Sequence, residues 1–177
     1  MDSQSHPKGK EKLAQAMIRK DKKYMLCKSL IPIFFLFLFT PLFGQKVEPT
    51  YKQVSYGPHK DMVLNFWKID SKKPTPLLVH IHGGGWLGGK KNETTSPSQL
   101  KNGYSYASID YRLAGVELLP AAIHDAARAI QFLRTKAKEW NFDPKRIAVT
   151  GGSAGAASSM WLAYHDDMAD PKSKDPV

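Results

Sequence analysis

Ser153 is the residue whose surroundings most clearly indicate chemistry. It is the centre of GGSAG, residues 151–155, which fits the pattern G-x-S-x-G. The apolar run Ile147–Val149 has the length and β-branched content of a buried strand, and the small residues after the serine predict the start of a helix. Strand, sharp turn and helix is the context in which this pattern forms a nucleophile elbow. The alternative interpretation is a flexible loop rich in Gly, Ser and Ala.

The glycines around Ser153 would have a physical role in such a turn. Gly151 and Gly155 have no Cβ, so the strand and the helix can pass close to their neighbours. We expect a strained backbone at Ser153. We also expect the serine oxygen to stand at a helix N-terminus, where free N–H groups favour a developing negative charge.

A second glycine cluster, HGGGW at residues 82–86, follows another predicted strand, Leu77–His82. Successive glycines expose backbone N–H groups without side chains in the way, which is what an oxyanion hole requires. The alternative for this cluster is again a flexible loop. Functional groups in α/β sheets gather at the carboxyl ends of the strands, so we expect the two glycine clusters to meet there.

The remaining sequence predicts the elements that would hold these motifs, in a folded part that begins near Val47. Tyr51–Tyr56 and Met62–Lys68 predict an antiparallel hairpin. The further predictions are a linker turn over Ser71–Pro76, a short helix over Pro97–Asn102, a strand over Tyr104–Asp110, a helix from Pro120 to Trp140 and a helix stop over Asn141–Pro144. Strands alternating with helices indicate the α/β class: a mixed, mostly parallel sheet with helices on both faces. We expect Arg146–Thr150 to lie inside this sheet and not at its edge.

The formal net charge of +10 does not indicate a nucleic-acid partner. Residues 1–28 hold eight Lys and Arg against three Asp and Glu, and residues 45–177 hold eighteen against thirteen, spread along the chain. No nucleic-acid-binding motif accompanies this charge, so we interpret it as a solvated surface.

Leu30–Phe43 is a run of fourteen mainly apolar residues with two prolines. It is short for a bilayer span, which needs ~20 apolar residues, and is typical of the core of a signal peptide. We predict a signal peptide over residues 1–44 and a secreted or periplasmic location. Residues 1–24 are interpreted as an over-extended start, because Met25 would itself begin a signal peptide. The alternative is an uncleaved anchor, the one case in which we expect stable membrane association.

From about Tyr51 to Val177 the sequence resembles the amino-terminal part of an α/β-hydrolase. It is most similar to the hormone-sensitive-lipase-type esterases and to the bifunctional feruloyl and acetyl-xylan esterases. The matching segments are His80–Lys91, Ser108–Gly115, Leu118–Arg134, Phe142–Val149 and Gly151–Ala156. The resemblance implies an α/β-hydrolase domain over residues 45–177 that hydrolyses carboxylic esters through an acyl-enzyme.

The same resemblance implies a role for each residue of the two motifs. Ser153 would be the nucleophile, and the N–H groups of Gly84, Gly85 and Ala154 would form the oxyanion hole. His82 would be structural. The other motif positions that support this assignment are Gly83, Gly151 and Gly155.

One departure from the family concerns the catalytic triad, whose acid and histidine follow the serine in this fold. His165 is the only histidine after Ser153, and it lies twelve positions along the predicted helix. At ~1.5 Å per residue it would be ~18 Å from the serine, whereas a base must come within ~3 Å. The acids Asp166, Asp167 and Asp170 fail for the same reason. We therefore expect a chain truncated after the elbow, without the triad acid and base. Such a truncation would place the elbow strand at an unpaired edge, which is the alternative to the interior position expected from the family fold.

The sequence is compatible with more than one reaction and more than one kind of substrate. An amide or peptide hydrolase such as an arylformamidase could use the same fold, and a non-catalytic pseudo-hydrolase would need no base. The ester substrate could be a small molecule or an acyl group linked to a polysaccharide. No metal or cofactor is expected, because no set of His, Cys, Asp and Glu has ligand spacing. For Trp86 and Tyr111 we favour a role in packing over one in lining a substrate pocket. For His80 and His124 we favour a structural role over a catalytic one.

Overall fold

The computed structural model describes residues 46–165, together with Lys172 and Val177. The predicted signal peptide, residues 1–44, lies outside these residues, as do Asp166, Asp167 and Asp170. Within the described range, no helix combines the length and the apolar character needed to cross a membrane.

Five strands and three helices make up the described chain. They are β1 (Tyr51–Ser55), β2 (Val63–Trp67), β3 (Thr75–Ile81), α1 (Pro97–Lys101), β4 (Ser105–Ile109), α2 (Ala121–Trp140), β5 (Phe142–Gly151) and α3 (Ala154–Tyr164). The sheet order is β1-β2-β4-β3-β5. Because β2 is antiparallel to both β1 and β4, it runs opposite to the other four strands. The predicted hairpin and the mixed, mostly parallel sheet are confirmed.

The alternation of side chains in β3 explains how the sheet holds its core. Leu77, Val79 and Ile81 are buried on one face, and Leu78 and His80 are half-buried on the other. The buried face packs against the apolar side of α2, which contributes Ala126, Ala129, Leu133 and Trp140 to the same cluster. A 20-residue helix with this stripe has one stable position, flat on the sheet.

The end of α2 sets the start of the elbow strand. Asn141 adopts the left-handed conformation, with φ 60° and ψ 49°, and its N–H donates to the carbonyl oxygen of Ala137. Asn tolerates this conformation better than most residues, so the helix stops after Trp140. The chain then enters β5 directly, at Phe142.

Three predictions about the strands need correction. β3 begins at Thr75, inside the segment predicted as a linker turn, and β5 begins at Phe142, inside the predicted helix stop. The third correction concerns the position of β5, which lies at an edge of the sheet with β3 as its neighbour among the described strands. The expectation that Arg146–Thr150 lies inside the sheet is therefore wrong, because no described strand pairs with the other side of β5.

Candidate active site

Ser153 lies in a one-turn connection between β5 and α3. Its backbone has φ 54° and ψ −119°, a region that L-amino acids rarely occupy. A serine before a helix usually has extended backbone and caps the helix with its side chain. Ser153 makes no such capping hydrogen bond, and it is exposed to solvent. The strained turn thus leaves the serine oxygen available at the N-terminus of an 11-residue helix.

The glycines beside Ser153 are required by close contacts. A Cβ on Gly155 would overlap the carbonyl oxygens of Ile81 and His82, and a Cβ on Gly151 would overlap that of Ile81 and the backbone of Gly155. The elbow is therefore pressed against the end of β3. This agrees with the role expected for these two glycines.

The glycine loop, residues 83–89, leaves the carboxyl end of β3 with an unusual backbone. Gly84 and Gly85 have φ values of 110° and 62°, and Trp86 continues the run at 59°. The carbonyl oxygen of Gly84 accepts hydrogen bonds from the N–H groups of Leu87, at 3.0 Å, and Gly88, at 3.1 Å. These bonds turn the loop back on itself, so that it is ordered by its own backbone.

The fold brings the glycine loop and the elbow together. β3 and β5 pair in parallel, with Ile81 opposite Gly151, so the two motifs leave the sheet at adjacent positions. A Cβ on Gly83 would lie 3.5 Å from the Cβ of Ser153 and closer still to the carbonyl oxygen of Gly152. Within the described residues, the N–H groups of Gly84, Gly85 and Ala154 donate to no protein acceptor.

His82 is held by contacts on every side. Its Nδ1 lies 2.8 Å from the carbonyl oxygen of Gly83, and its ring stacks on Tyr111 at 4.2 Å between centroids. A Cβ on Gly89 would overlap the imidazole, so the glycine loop closes over the ring. These contacts hold the ring against the glycine loop, with Nδ1 towards Gly83 and Nε2 towards Asp110.

The other described histidines have contacts of their own, none of them a hydrogen bond to Ser153. His59 lies beside Asp61 in the turn between β1 and β2. His80 is half-buried on β3, and burial, followed by the proximity of His82, lowers its pKa below the usual value of 6.5. His124 is exposed on α2, near Trp161. His165 follows the last turn of α3, where its ring stacks on Trp161 at 3.9 Å and its Nδ1 bonds to the carbonyl oxygen of that residue. It therefore lies at the opposite end of α3 from Ser153.

Trp86 and Tyr111 serve packing, the alternative favoured from the sequence. Tyr111 is buried, and its hydroxyl donates to the carbonyl oxygen of His82 at 2.9 Å. Burial, with a smaller contribution from Asp110, raises the pKa of Tyr111 to about 12. Trp86 packs against the core, and its indole N–H donates to the hydroxyl of Ser158 on α3 at 3.1 Å.

The sequence did not reveal a buried charge cluster next to the glycine loop. Lys91 has a side chain only 2% exposed, and its ammonium lies 3.4 Å from Oδ2 of Asp110 and 2.8 Å from Oε1 of Glu93. The hydrogen bond from Lys91 holds the pKa of Glu93 below its usual value. The signal that could have found this cluster is the position of Asp110, directly after β4 at the edge of the sheet that carries both glycine motifs.

Among the described residues, no cluster of three or more His, Cys, Asp or Glu side chains is arranged to hold a metal ion.

The sheet topology, the strained serine elbow and the adjacent glycine loop define an α/β-hydrolase. A family model named BD-FAE matches residues 66–174, which is more than half of the chain. The chain therefore belongs to the BD-FAE family.

Relatives and solved structures agree with this assignment. The carboxylesterase NlhH of Mycobacterium tuberculosis is 37% identical over 103 residues, covering 55% of this chain and 32% of the relative. Among solved structures, an acetyl ester-xyloside bifunctional hydrolase from Caldicellulosiruptor lactoaceticus matches with a TM-score of 0.58 and 30% identity, over 75% of this chain and 51% of that one. A truncated carbohydrate esterase from gut microbiota matches with a TM-score of 0.56 and 27% identity, over 62% of this chain and 41% of that one. The chain thus spans about a third of the length of the curated relatives that it matches.

Proposed function

We propose that this chain carries the nucleophile and oxyanion-binding part of a serine hydrolase that acts on carboxylic esters. The observation that carries the proposal is the meeting of Ser153 with the glycine loop at the adjacent ends of β3 and β5. A strained turn holds the serine oxygen outside the helix cap, where it is available for attack. The family and the ester hydrolases among its relatives support the same reaction.

In the proposed reaction, the Ser153 hydroxyl attacks the ester carbonyl carbon and loses its proton to a general base. The carbonyl oxygen becomes an oxyanion, which the N–H groups of Gly84, Gly85 and Ala154 are free to bind. Collapse of the tetrahedral intermediate expels the alcohol and leaves an acyl-enzyme on Ser153. Water, activated by the same base, then releases the acid and restores the serine.

The general base and its acid partner are proposed to come from outside the described residues. Within the described residues, no histidine is hydrogen-bonded to Ser153: His82 faces Gly83 and Asp110, and His165 lies at the far end of α3. This is also the observation that favours the alternative, a non-catalytic chain that keeps the fold but lacks the reaction.

The proposed substrates are acyl esters, including acetyl groups on plant polysaccharides. The support is the similarity to an acetyl ester-xyloside bifunctional hydrolase and to a carbohydrate esterase. An amide substrate is the alternative on the same fold. Paired p-nitrophenyl acetate and acetyl p-nitroanilide assays distinguish the two: turnover of the ester alone supports an ester hydrolase, and Ser153-dependent turnover of the anilide as well supports the amide alternative.

We also propose that the domain is exported by an N-terminal signal within residues 1–44. The apolar run Leu30–Phe43 supports this proposal. Mass spectrometry of the exported protein tests it, since the mature chain should begin near Gln45. A species that retains residues 30–43 in the membrane fraction would instead support an anchor.

The test of catalysis compares two lengths of the protein. The 177-residue chain should hydrolyse p-nitrophenyl acetate very slowly, because an unassisted serine hydroxyl is a weak nucleophile. Reading the genomic locus past Val177 should show a continuing frame with an Asp and a His, and the protein that includes them should be active. In that protein Ser153→Ala should lower kcat by about 10⁴–10⁶.

Ser159→Ala is the matched control, because Ser159 lies in α3 and its hydroxyl bonds only to the carbonyl oxygen of Gly155. It should leave kcat within about twofold of the parent. Equal loss in both variants would contradict a nucleophilic role for Ser153. Rapid, Ser153-dependent hydrolysis by the 177-residue chain would show that a residue already present supplies the base.

A further inference from the structure

Two adjacent lysines follow the glycine loop, and they have opposite environments. Lys90 is exposed, whereas the side chain of Lys91 is 2% exposed. Lysine is almost never fully buried without a partner, and Lys91 has two, the carboxylates of Asp110 and Glu93. The reaction proposed above does not use this buried ammonium.

Asp110 links Lys91 to the glycine loop. Its Oδ2 faces the Lys91 ammonium at 3.4 Å, and its Oδ1 accepts the backbone N–H of Lys91 and lies 3.6 Å from Nε2 of His82. The backbone of Asp110 is itself fixed, because its N–H donates to the carbonyl oxygen of Val63 at 2.9 Å. One carboxylate is therefore bonded to Lys91, two residues after the loop, and lies beside His82, the residue before the loop.

His82 restrains the first peptide of the loop by a separate contact. The carbonyl oxygen of Gly83 can only accept a hydrogen bond, so the Nδ1 that lies 2.8 Å away carries the proton. In a planar trans peptide the C=O and N–H groups point in opposite directions. Holding the Gly83 carbonyl on the side of His82 therefore directs the Gly84 N–H away from His82.

We propose that Lys91, acting through Asp110, is a positioning residue for the oxyanion-binding N–H groups of the glycine loop. This proposal rests on the proposed function, since it assigns the purpose of the loop. Lys91 does not touch the reacting atoms. Its ammonium holds the Asp110 carboxylate, which accepts the backbone N–H of Lys91 and so anchors the chain where it leaves the loop.

If Lys91 served only to stabilise the domain through a buried ion pair, a different result would be expected. Loss of that ion pair would weaken the whole domain, and amide hydrogen exchange would rise in α2 as much as in the glycine loop. Loss of a positioning residue would loosen the glycine loop and leave α2 unchanged. Hydrogen exchange measured peptide by peptide separates the two, and it requires no enzymatic activity.

The experiment compares Lys91→Met with Lys90→Met in the full 177-residue chain. We expect exchange in the peptide that spans residues 83–89 to rise about tenfold in Lys91→Met and to stay unchanged in Lys90→Met. Lys91→Arg, which keeps the charge, should restore most of the protection. Asp110→Asn should loosen the same peptide, and it provides the test if Lys91→Met does not fold.

Where the longer protein is active, the same variants supply a second measurement. Lys91→Met should lower kcat about tenfold and leave KM unchanged, because an oxyanion hole stabilises the transition state and not the bound ester. An inactive parent protein would overturn the proposed function, and the exchange result would still decide the role of Lys91. Equal exchange in Lys91→Met and Lys90→Met, or a uniform rise that includes α2, would overturn the proposal.

Discussion

At the scale of single residues, the glycines of the elbow differ in what a side chain would meet. A Cβ on Gly155 would overlap backbone oxygens of β3 that cannot move independently, whereas a Cβ on Gly152 would meet nothing within 4 Å. Gly155→Ala should therefore lower the free energy of unfolding by about 2 kcal/mol or more.

Gly152→Ala is the matched control, because Gly152 lies three positions before Gly155 in the same motif. Its effect should stay within about 1 kcal/mol, because the added methyl group faces open space and reduces the entropy of the unfolded chain. Urea unfolding of the two variants measures both values. Similar losses would show that the elbow does not press against the end of β3.

The same scale shows what a sequence can and cannot reveal about a site. The strain at Ser153 was predictable, because G-x-S-x-G places glycines where a sharp turn needs them. The burial of Lys91 beside an exposed Lys90 was not predictable. Two identical side chains in a loop carry no periodic signal, and only the tertiary position of Asp110 decides which of them is buried.

At the scale of elements, one buried ion pair ties α2 to the loop after β4. Asp125 on α2 is 1% exposed and accepts hydrogen bonds from the Arg112 guanidinium, at 2.6 Å from Nη2, and from the Arg112 backbone N–H. Those hydrogen bonds raise the pKa of Arg112. The pair fixes the beginning of a helix whose N-cap, Pro120, provides no side-chain hydrogen bond.

Asp125→Asn should therefore destabilise the domain by about 3 kcal/mol, because it removes the charge that compensates a partly buried guanidinium. The comparison is Glu139→Gln, which breaks an exposed pair with Lys136 near the other end of α2. The Glu139→Gln substitution should produce no measurable change in stability, since water already solvates both charges. Thermal unfolding followed by circular dichroism tests the contrast, and a large effect of Glu139→Gln would contradict it.

Most elements were predictable to within two residues, because burial in this sheet follows the pattern of apolar side chains. The predicted starts of β3 and β5 were wrong because Pro76 and Pro144 were interpreted as marking the ends of secondary-structure elements. Pro76 lies in β3 at a register shift, and Pro144 lies in β5, at the edge of the described sheet. Both are places where a strand tolerates the loss of a backbone donor. A single sequence does not show which strand will be an edge.

At the scale of the whole domain, buried tyrosines predict a loss of stability in alkali. Burial raises the pKa of Tyr56 well above 10.0 and that of Tyr111 to about 12. The folded chain therefore holds these protons more tightly than the unfolded chain does, so stability falls as the pH rises from about 10 towards 12.

Tyr111→Phe should make this decline shallower. At pH 8 it should cost about 1 kcal/mol, because the hydrogen bond to the carbonyl oxygen of His82 is lost. Unfolding measured at intervals from pH 8 to about 12 tests both effects. An unchanged slope would show that Tyr111 ionises as freely in the folded chain as in the unfolded one.

The open side of β5 was predictable only in part. The sequence indicated the elbow strand itself, whereas the shape of the surface beside it was not predictable. A groove of about 360 Å³ runs beside β5. Its apolar lining includes Ile130, Ile147, Val149 and Leu162. These residues come from three elements that only the folded chain places side by side.

The adjacency of β3 and β5 also has a consequence for the order of folding. Ile81 and Gly151 are paired neighbours in the sheet, yet they are seventy positions apart in the sequence, with β4 and α2 between them. Closing so long a chain segment has an entropic cost that local contacts cannot offset, so this pairing belongs among the late steps. Ser153 and the glycine loop thus come together only when the intervening chain has already folded. The reactive geometry is a product of complete folding, and a partly folded chain presents an ordinary serine.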